Sequence, residues 1–445
     1  MTIHDRDALL KLALAPSDDL RAPADLGDTI SREIVATPQR RPVPIFGRLA
    51  RVPAPALVTV GLLLLLALVF VIVALSRPSR PAILAMYHGG PDHTGVMPGP
   101  APKGRPVVLW EAARPGALPY STMPLPFEDE VIVADQSGLL AALNARDGSV
   151  RWQLDVGSLI QGAPALVQPT GSDQLVVVGT AGGVVVAARA ADGHEVWRTP
   201  VSGAVSNSLL VADGVVYVAT DSGEIDAIDP ASGTIAWSMN VGVPISRNAG
   251  AADGVLFVGT SSGRFVAIDL TSHKVRWDVP LADGLPGTPT IANGRVYAVE
   301  GILGLGTHDL LALDSSDGST KWRFASPAGE QVHMGGIAGG QIYAMSEDHN
   351  VYALDAGTGR PRWTATTDGR VITLAAIVGN LVFFSSEDNL VRALDARTGE
   401  ELWQVPTTGH PTMPAVVGGR VYVGTDLGQV LAIAGSEAAS SPGPR

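Results

Sequence analysis

The chain has 445 residues, of which 46% are apolar and only 17% charged, with 51 Gly, 33 Pro, no Cys and a net charge of −12. Such a composition excludes a coiled coil, a helical bundle and a wholly disordered chain, and it favours many short strands joined by turns. The lack of Cys excludes disulfides, thiolate metal sites and cysteine nucleophiles, and the acidic charge argues against a nucleic-acid partner.

Residues 56–75 are a run of 20 residues without a charged side chain, mostly Leu, Val and Ala. As a helix this run spans about 30 Å, the thickness of the hydrocarbon core, so it predicts one transmembrane helix. More arginines precede the run than follow it: Arg40, Arg41, Arg48 and Arg51 come before, and Arg77 and Arg80 after. We therefore expect a cytoplasmic N-terminus in the inner membrane, with the rest of the chain extracytoplasmic.

Five segments follow from these patterns. Residues 1–55 are predicted to be a partly ordered cytoplasmic tail, and residues 76–105, rich in Pro and Gly, a linker after the transmembrane helix. Residues 106–434 contain the repeats described next, and residues 435–445 are predicted to be a disordered tail. Residues 1–55 carry a net charge of +1 and the remainder −13, so the predicted external portion is the acidic one.

The repeats are marked by tryptophan. All eight Trp follow the apolar run at intervals of 40 to 45 residues, a period typical of four-stranded propeller blades. They are Trp110, Trp152, Trp197, Trp237, Trp277, Trp322, Trp363 and Trp403. We expect these side chains to pack between blades and to be structural.

The residues before each Trp follow the pattern Ala-x-Asp-x-x-x-Gly-x-x-x-Trp, as in Ala353, Asp355, Gly359 and Trp363. The Asp can accept backbone N–H bonds within a turn, and the Gly can take the positive φ that closes a short hairpin. The small Ala leaves room for the large Trp ring. His273 stands in place of the Gly in one repeat.

Counting the repeats predicts how the ring closes. Seven intervals between Trp residues give seven blades, and one further unit after Trp403, around residues 420–433, has no Trp of its own. Trp110 conversely lies in a strand with no blade before it. Joining the two ends makes an eighth blade, so we predict an all-β, eight-bladed propeller of four-stranded blades closed by its N- and C-terminal strands and preceded by one transmembrane helix.

This repeat resembles the pyrroloquinoline quinone (PQQ)-type propeller repeat, over about residues 106–434. Tyr87-His88-Gly89-Gly90-Pro91-Asp92-His93-Thr94-Gly95 is similar to segments that often precede such propellers. The resemblance implies one of two functions: a quinone-dependent dehydrogenase, or a non-enzymatic BamB-like scaffold of the cell envelope.

The enzymatic branch is disfavoured by what the chain lacks. For a quinone-dependent dehydrogenase, the resemblance implies long insertions between blades, in many members a disulfide over the quinone, and a calcium ion held by several oxygen ligands. This sequence instead has evenly short intervals between repeats, no Cys and no clustered carboxylates. We therefore expect no catalytic residues, no metal, no PQQ and no calcium.

Candidate binding residues lie 9 to 12 residues after each Trp, where the chain enters the innermost strand of the next blade and the repeat loses its consensus. They are Thr122, Gln161, Asn207, Arg247, Thr288, His333, Thr373 and Thr412. Arg247 and His333 are the sharpest candidates, since a cation beside a narrow channel in an acidic domain favours an anionic group. Ile302, Leu303 and Leu305 form the alternative, an apolar loop tip for a partner.

The leading hypothesis is a membrane-anchored, extracytoplasmic, BamB-like scaffold that binds envelope proteins or a ligand. The alternative is a transmembrane sensor, with the propeller as ligand-binding domain and residues 1–55 as cytoplasmic output. A quinoprotein dehydrogenase is the third hypothesis.

Overall fold

The computed structural model describes residues 85–118, 122–245, 247–281, 286–301 and 308–439. Within these ranges the structure contains no helix with the length and hydrophobicity needed to span a membrane. The predicted cytoplasmic tail at 1–55, the predicted transmembrane helix at 56–75 and the predicted apolar loop tip at 302–305 lie outside the described residues.

Thirty-two strands within the described residues form eight antiparallel four-stranded sheets. β1 (Pro106–Ala113) comes first in the chain but belongs to the last blade. Blade 1 contains β2 (Leu125–Phe127), β3 (Glu130–Ala134), β4 (Leu139–Asn144) and β5 (Val150–Asp155). Blade 2 contains β6 (Ala165–Val167), β7 (Leu175–Gly179), β8 (Val184–Arg189) and β9 (Glu195–Pro200). Blade 3 contains β10 (Leu210–Ala212), β11 (Val215–Ala219), β12 (Glu224–Ile228) and β13 (Ile235–Asn240).

Blade 4 contains β14 (Gly250–Ala252), β15 (Val255–Gly259), β16 (Arg264–Asp269) and β17 (Lys274–Pro280). Blade 5 contains β18 (Thr290–Ala292), β19 (Arg295–Val299), β20 (Leu310–Asp314) and β21 (Thr320–Phe324). Blade 6 contains β22 (Val332–Ala338), β23 (Gln341–Ser346), β24 (Asn350–Asp355) and β25 (Pro361–Thr366). Blade 7 contains β26 (Ala376–Val378), β27 (Leu381–Ser386), β28 (Leu390–Asp395) and β29 (Glu401–Pro406).

Blade 8 closes the ring. It contains β30 (Ala415–Val417), β31 (Arg420–Gly424), β32 (Gln429–Gly435) and, as its outermost strand, β1. β1 runs antiparallel to β32, with Pro106 opposite Gly435 and Ala113 opposite Gln429. The predicted eight-bladed propeller of four-stranded blades, closed by its two ends, is confirmed.

The Trp residues lie where adjacent blades meet. Trp322 faces Ala312 across the β20–β21 pair of blade 5, and its Nε1 donates to the Ala356 carbonyl oxygen of blade 6 at 3.1 Å. The same ring covers Gly359 of blade 6, where an added Cβ would lie 2.6 Å from Trp322 Cε3. Glycine is therefore required at this position for two reasons: its backbone takes a positive φ of +70°, and it has no side chain that would clash with the indole.

Blade 4 uses a different residue at this position. His273 takes the positive φ, at +55°, and its ring stacks on Trp237 of blade 3 with 4.5 Å between ring centres. In blade 4, stacking between the two rings thus takes the place of the contact between the indole and a glycine.

The first strands of the blades contact one another around the axis and are therefore the innermost. Residues 85–100, which we call the plug segment, run along them inside the channel. Backbone carbonyls of the plug accept N–H bonds of 2.7 to 2.9 Å from the innermost strands of blades 2 and 4 to 7 and from the turn after the innermost strand of blade 8. The pairs are Ala85 with Leu166, Pro91 with Ala251, Asp92 with Ile291, Thr94 with Ile337, Gly95 with Ile377 and Pro100 with Gly419.

The plug segment corrects part of the predicted linker at 76–105. Met86, Tyr87, His88, His93 and Met97 are all buried, so this stretch belongs to the core of the ring. The physical reason is that each innermost strand has an unpaired edge, and the plug carbonyls accept N–H groups from these edges in blades 2 and 4 to 7.

The predicted disordered tail is also corrected at its start. Gly435 ends β32, and a short helix, α1 (Ser436–Ala439), follows it. The Ser436 N–H donates to the Arg105 carbonyl oxygen at 2.8 Å, which ties this end of the chain to the segment preceding β1.

Two buried histidines in the plug make stability depend on pH. Burial lowers the pKa of His88 to about 4 and that of His93 to about 3, below the value near 6.5 expected in the unfolded chain. The unfolded chain therefore binds more protons, and the stability present above pH 6.5 is lost as the pH falls toward 4.

At pH 5 we expect a loss of about 2 kcal/mol for each of the two histidines, measured as a falling midpoint of thermal unfolding between pH 7 and pH 4.5. The variant His88→Gln/His93→Gln should give a flatter profile. A midpoint that stays constant for the unmodified protein over this range would show that the plug histidines do not control stability.

Candidate functional site

The two ends of the ring differ in what they present. At one end, which we call the loop end, the segment entering a blade is hydrogen-bonded to the turn between that blade's second and third strands, in blades 1 to 4 and 6 to 8. In blade 6 the Glu347 N–H donates to the Gln331 carbonyl oxygen at 2.9 Å, and in blade 7 the Glu387 N–H donates to that of Arg370 at 2.9 Å. Side chains from both loops of a blade are therefore neighbours at this end.

A cavity of about 420 Å³ lies at the loop end and is lined by residues of blades 3 to 7 and by the plug. Its rim reaches solvent, since the Arg370 side chain is 50% exposed. Tyr87 of the plug contributes to the lining and is itself buried. Five of the eight predicted binding residues line this one cavity: Asn207, Arg247, Thr288, His333 and Thr373.

The other three predicted residues lie outside this cavity. Thr122 is buried in the segment entering blade 1, and Gln161 is partly buried in the segment entering blade 2. Thr412 is fully buried, and its Oγ1 accepts the Gly424 N–H at 3.1 Å within blade 8.

Thr373 has the same local role although it lines the cavity. Its hydroxyl donates to the Ser385 carbonyl oxygen at 2.8 Å and accepts the Ser385 N–H at 3.2 Å. Both threonines thus hydrogen-bond the backbone 12 residues further along, which fixes the start of the innermost strand to the second strand of the blade.

One wall of the cavity carries a network of paired charges. Glu347 is 3.4 Å from His333, between Oε1 and Nε2, and its Oε2 accepts from Arg370 Nη1 at 3.1 Å. Arg370 also pairs with Glu387 at 2.6 Å, between Nε and Oε2. The hydrogen bond from His333, supported by Arg370, lowers the pKa of Glu347 against the effect of burial, so this carboxylate is ionised at neutral pH.

Glu347 and Arg370 were not among the predicted site residues. Glu347 lies in the turn after β23 and Arg370 lies seven residues after Trp363, ahead of the expected window of 9 to 12 residues. The sequence does place a charged residue in each loop, but the pairing between the two loops depends on the contact between blades 6 and 7.

The part of the lining that comes from blade 4 carries an unpaired charge. Arg247, in the segment entering blade 4, is partly buried and forms no ion pair with any residue that the structure describes. Burial raises the pKa of Tyr87, and the nearby charge of Arg247 offsets part of that rise. Tyr87 is therefore a neutral hydroxyl beside a permanent cation.

Neutral hydrogen-bonding groups stand on the Arg247 side. Asn248 Oδ1 accepts the Ser208 N–H at 2.8 Å, which orients the Asn248 amide so that its NH₂ group remains a donor on the other side. Ser208 Oγ accepts the Ala163 N–H at 2.9 Å and keeps its own proton to donate. Both side chains line the cavity.

The residues present do not fit a calcium–quinone centre. Calcium requires six to eight oxygen ligands, usually with several carboxylates. Glu347 is the single carboxylate among the described residues that line the cavity, and both of its oxygens are engaged by His333 and Arg370. Within the described part of the chain, no group of three or more His, Asp or Glu side chains is placed to hold a metal.

Solved structures with the same fold include proteins of different kinds. BamB from Moraxella catarrhalis superposes with a TM-score of 0.59 at 21% identity, over 74% of this chain and 98% of that one. Quinohemoprotein alcohol dehydrogenase from Comamonas testosteroni gives 0.63 at 14% identity, over 83% and 82%. The computationally designed Ika8 protein gives 0.62 at 14% identity, over 73% and 98%. At these identities the likeness establishes the fold alone.

Among curated proteins there is no significant match to the sequence. The family described as outer membrane protein assembly factor BamB matches in four overlapping segments: residues 104–168, 162–243, 221–338 and 306–439. Together they span the whole propeller and about three quarters of the chain. The protein therefore belongs to the BamB family of PQQ-repeat β-propellers.

Proposed function

We propose that this protein is a single-pass, membrane-anchored scaffold whose extracytoplasmic propeller binds a protein partner in the cell envelope. The observation that carries the proposal is the family match over residues 104–439, to a family described by its role in protein assembly. A rigid ring with variable loops at one end suits such a role, because binding residues are commonly carried by loops on a rigid framework.

The membrane anchor is inferred from residues 56–75, which contain no charged residue over 20 positions. The family description names the assembly of outer membrane proteins, whereas residues 56–75 predict helical anchorage in the inner membrane. We therefore infer an envelope partner for this propeller without assigning it to outer-membrane assembly.

A non-enzymatic role is part of the proposal, and it is supported by the chemistry of the cavity wall. The carboxylate that a calcium–quinone centre would need is already paired, as described above. The alternative is a quinoprotein dehydrogenase, because a quinohemoprotein alcohol dehydrogenase has the same fold. If the protein supplied with PQQ, Ca²⁺ and an alcohol reduced a redox dye, the non-enzymatic role would be wrong.

Site-specific photo-cross-linking in native membranes tests the scaffold proposal. Leu427 is 65% exposed in the turn between β31 and β32, at the loop end. Asp253 is exposed in the turn between β14 and β15, at the other end, and serves as the control position. A photoreactive residue at position 427 should capture one or more defined envelope proteins, and the same residue at 253 should not.

Equal capture from both positions, or none from either, would contradict a partner surface at the loop end. Deleting residues 1–50 distinguishes the transmembrane-sensor alternative. A scaffold should keep its cross-linked partner and leave transcription unchanged, whereas a sensor should lose its transcriptional output.

A further inference from the structure

We propose that the loop-end cavity binds a single carboxylate group of the partner protein, with Arg247 as its ion-pair partner. This inference rests on the proposed function, since it names the chemistry by which the scaffold recognises what it binds.

The charges around the cavity point to a bound anion. Arg370 is paired with both Glu347 and Glu387, and His333 is hydrogen-bonded to Glu347, so this wall needs no anionic ligand. Arg247 has no carboxylate partner among the described residues and is partly withdrawn from water. A cation in such a position gains most from a ligand carrying the opposite charge, because the low local dielectric strengthens the ion pair.

The neutral groups beside Arg247 suit a carboxylate. Ser208 and Asn248 each retain a donor, as their acceptor atoms are engaged by backbone N–H groups. The neutral Tyr87 hydroxyl adds a third group, contributed by the plug. A carboxylate has two oxygens with about four acceptor positions, so it can bind the Arg247 guanidinium and still accept bonds from its neighbours.

The same cavity disfavours a doubly charged ligand. Among the described residues that line the cavity, Arg247 is the single cation without a carboxylate partner, and the ionised Glu347 repels additional negative charge. A phosphate dianion would therefore be left partly uncompensated. At about 420 Å³ the cavity holds a side chain or a chain terminus rather than a folded domain. Because the plug fills the channel behind it, the group must enter from the loop end.

The carboxylate can come from an acidic side chain or from a C-terminus, and four degenerate pools of fluorescent peptides distinguish these two sources. The first contains a central Glu and an amidated C-terminus, the second has no acidic residue but a free C-terminal carboxylate, the third is neutral and amidated, and the fourth contains phosphoserine and is amidated. Binding to the full-length protein in mild detergent is measured by fluorescence anisotropy.

We expect one of the first two pools to bind more tightly than the neutral pool, and Arg247→Gln to weaken that binding by about tenfold or more. Arg247→Lys should recover part of the affinity, because it keeps the charge but loses the bidentate geometry. The matched control is Arg397→Gln, which removes the same charge from an exposed turn between β28 and β29. The Arg397→Gln variant should bind the peptides with the same affinity as the unmodified protein.

Three results would overturn the carboxylate site: no pool binding better than the neutral one, preference for the phosphoserine pool, or equal loss in Arg247→Gln and Arg397→Gln. If the cross-linked partner is retained under these results, the scaffold function stands and only the carboxylate site fails. If the acidic pools bind through Arg247 but no envelope protein is captured, the carboxylate site stands and the protein-binding scaffold fails.

Discussion

A chain that begins at residue 114 is expected to lose its cooperative thermal unfolding and to aggregate. This shortened chain lacks β1, and with it the partner of β32 along the register from Pro106–Gly435 to Ala113–Gln429. The exposed edge of β32 is flanked by buried apolar side chains and offers free N–H and C=O groups to other molecules. Loss of Trp110 alone removes a contact worth about 3–5 kcal/mol, a large share of the 5–15 kcal/mol by which a folded domain is stable.

The control is a chain that begins at residue 103, which lacks the plug segment but keeps β1. We expect this chain to remain monomeric with an intact ring, although with a lower midpoint of unfolding, because the inner-strand N–H groups lose their plug partners. Light scattering coupled to gel filtration and calorimetry distinguish the two chains. A monomeric 114–445 chain with the same unfolding midpoint as the 103–445 chain would show that closure by β1 contributes little.

The variant Gly359→Ala is expected to destabilise the ring by about 3 kcal/mol. About 1 kcal/mol of this comes from the positive φ of +70°, which an L-residue with a Cβ adopts at a cost. About 2 kcal/mol more comes from the added methyl group, which would meet the Trp322 ring at 2.6 Å and push blades 5 and 6 apart. Chemical unfolding monitored by Trp fluorescence gives the free energy.

Gly294 provides a matched control for the backbone contribution. It has the same φ of +70°, and nothing lies within 4 Å of an added Cβ. Gly294→Ala should therefore show only the backbone cost of about 1 kcal/mol. Equal losses in Gly359→Ala and Gly294→Ala would refute the role of the Trp–Gly contact between blades.

A double-mutant cycle with Trp322→Ala tests the same contact from the other side. Trp322→Ala alone should cost about 3 kcal/mol through lost burial and the lost bond to Ala356. Once the indole is absent, the methyl group at position 359 has space, so the combined loss should be smaller than the sum by about 1–2 kcal/mol.

Part of the cavity lining could be predicted from the sequence. A spacing argument could place Asn207, Arg247 and His333 at the loop end, because the number of residues between strands is set within each repeat. It could not decide that Thr412 and Thr373 would hydrogen-bond the second strand of their own blades. Nor could it show that Glu347 pairs with Arg370 while Arg247 has no ion-pair partner in the described part of the chain, since these side chains come from different blades.

The sequence by itself determined the propeller, its eight blades and the closing strand pair. These properties follow from local repetition: the Ala, Gly and Trp positions recur every 40 to 45 residues, and blades 1 to 7 fold through hydrogen bonds between strands adjacent in the chain. The incomplete repeats at the two ends complete each other as blade 8. Only the tertiary structure decided that residues 85–100 form a plug and that five loops share one cavity. The plug is held through backbone carbonyls, which carry no side-chain signature, by partners as far apart in the chain as Thr94 and Ile337. The cavity likewise depends on charges that neighbour one another only when the blades stand side by side around the axis.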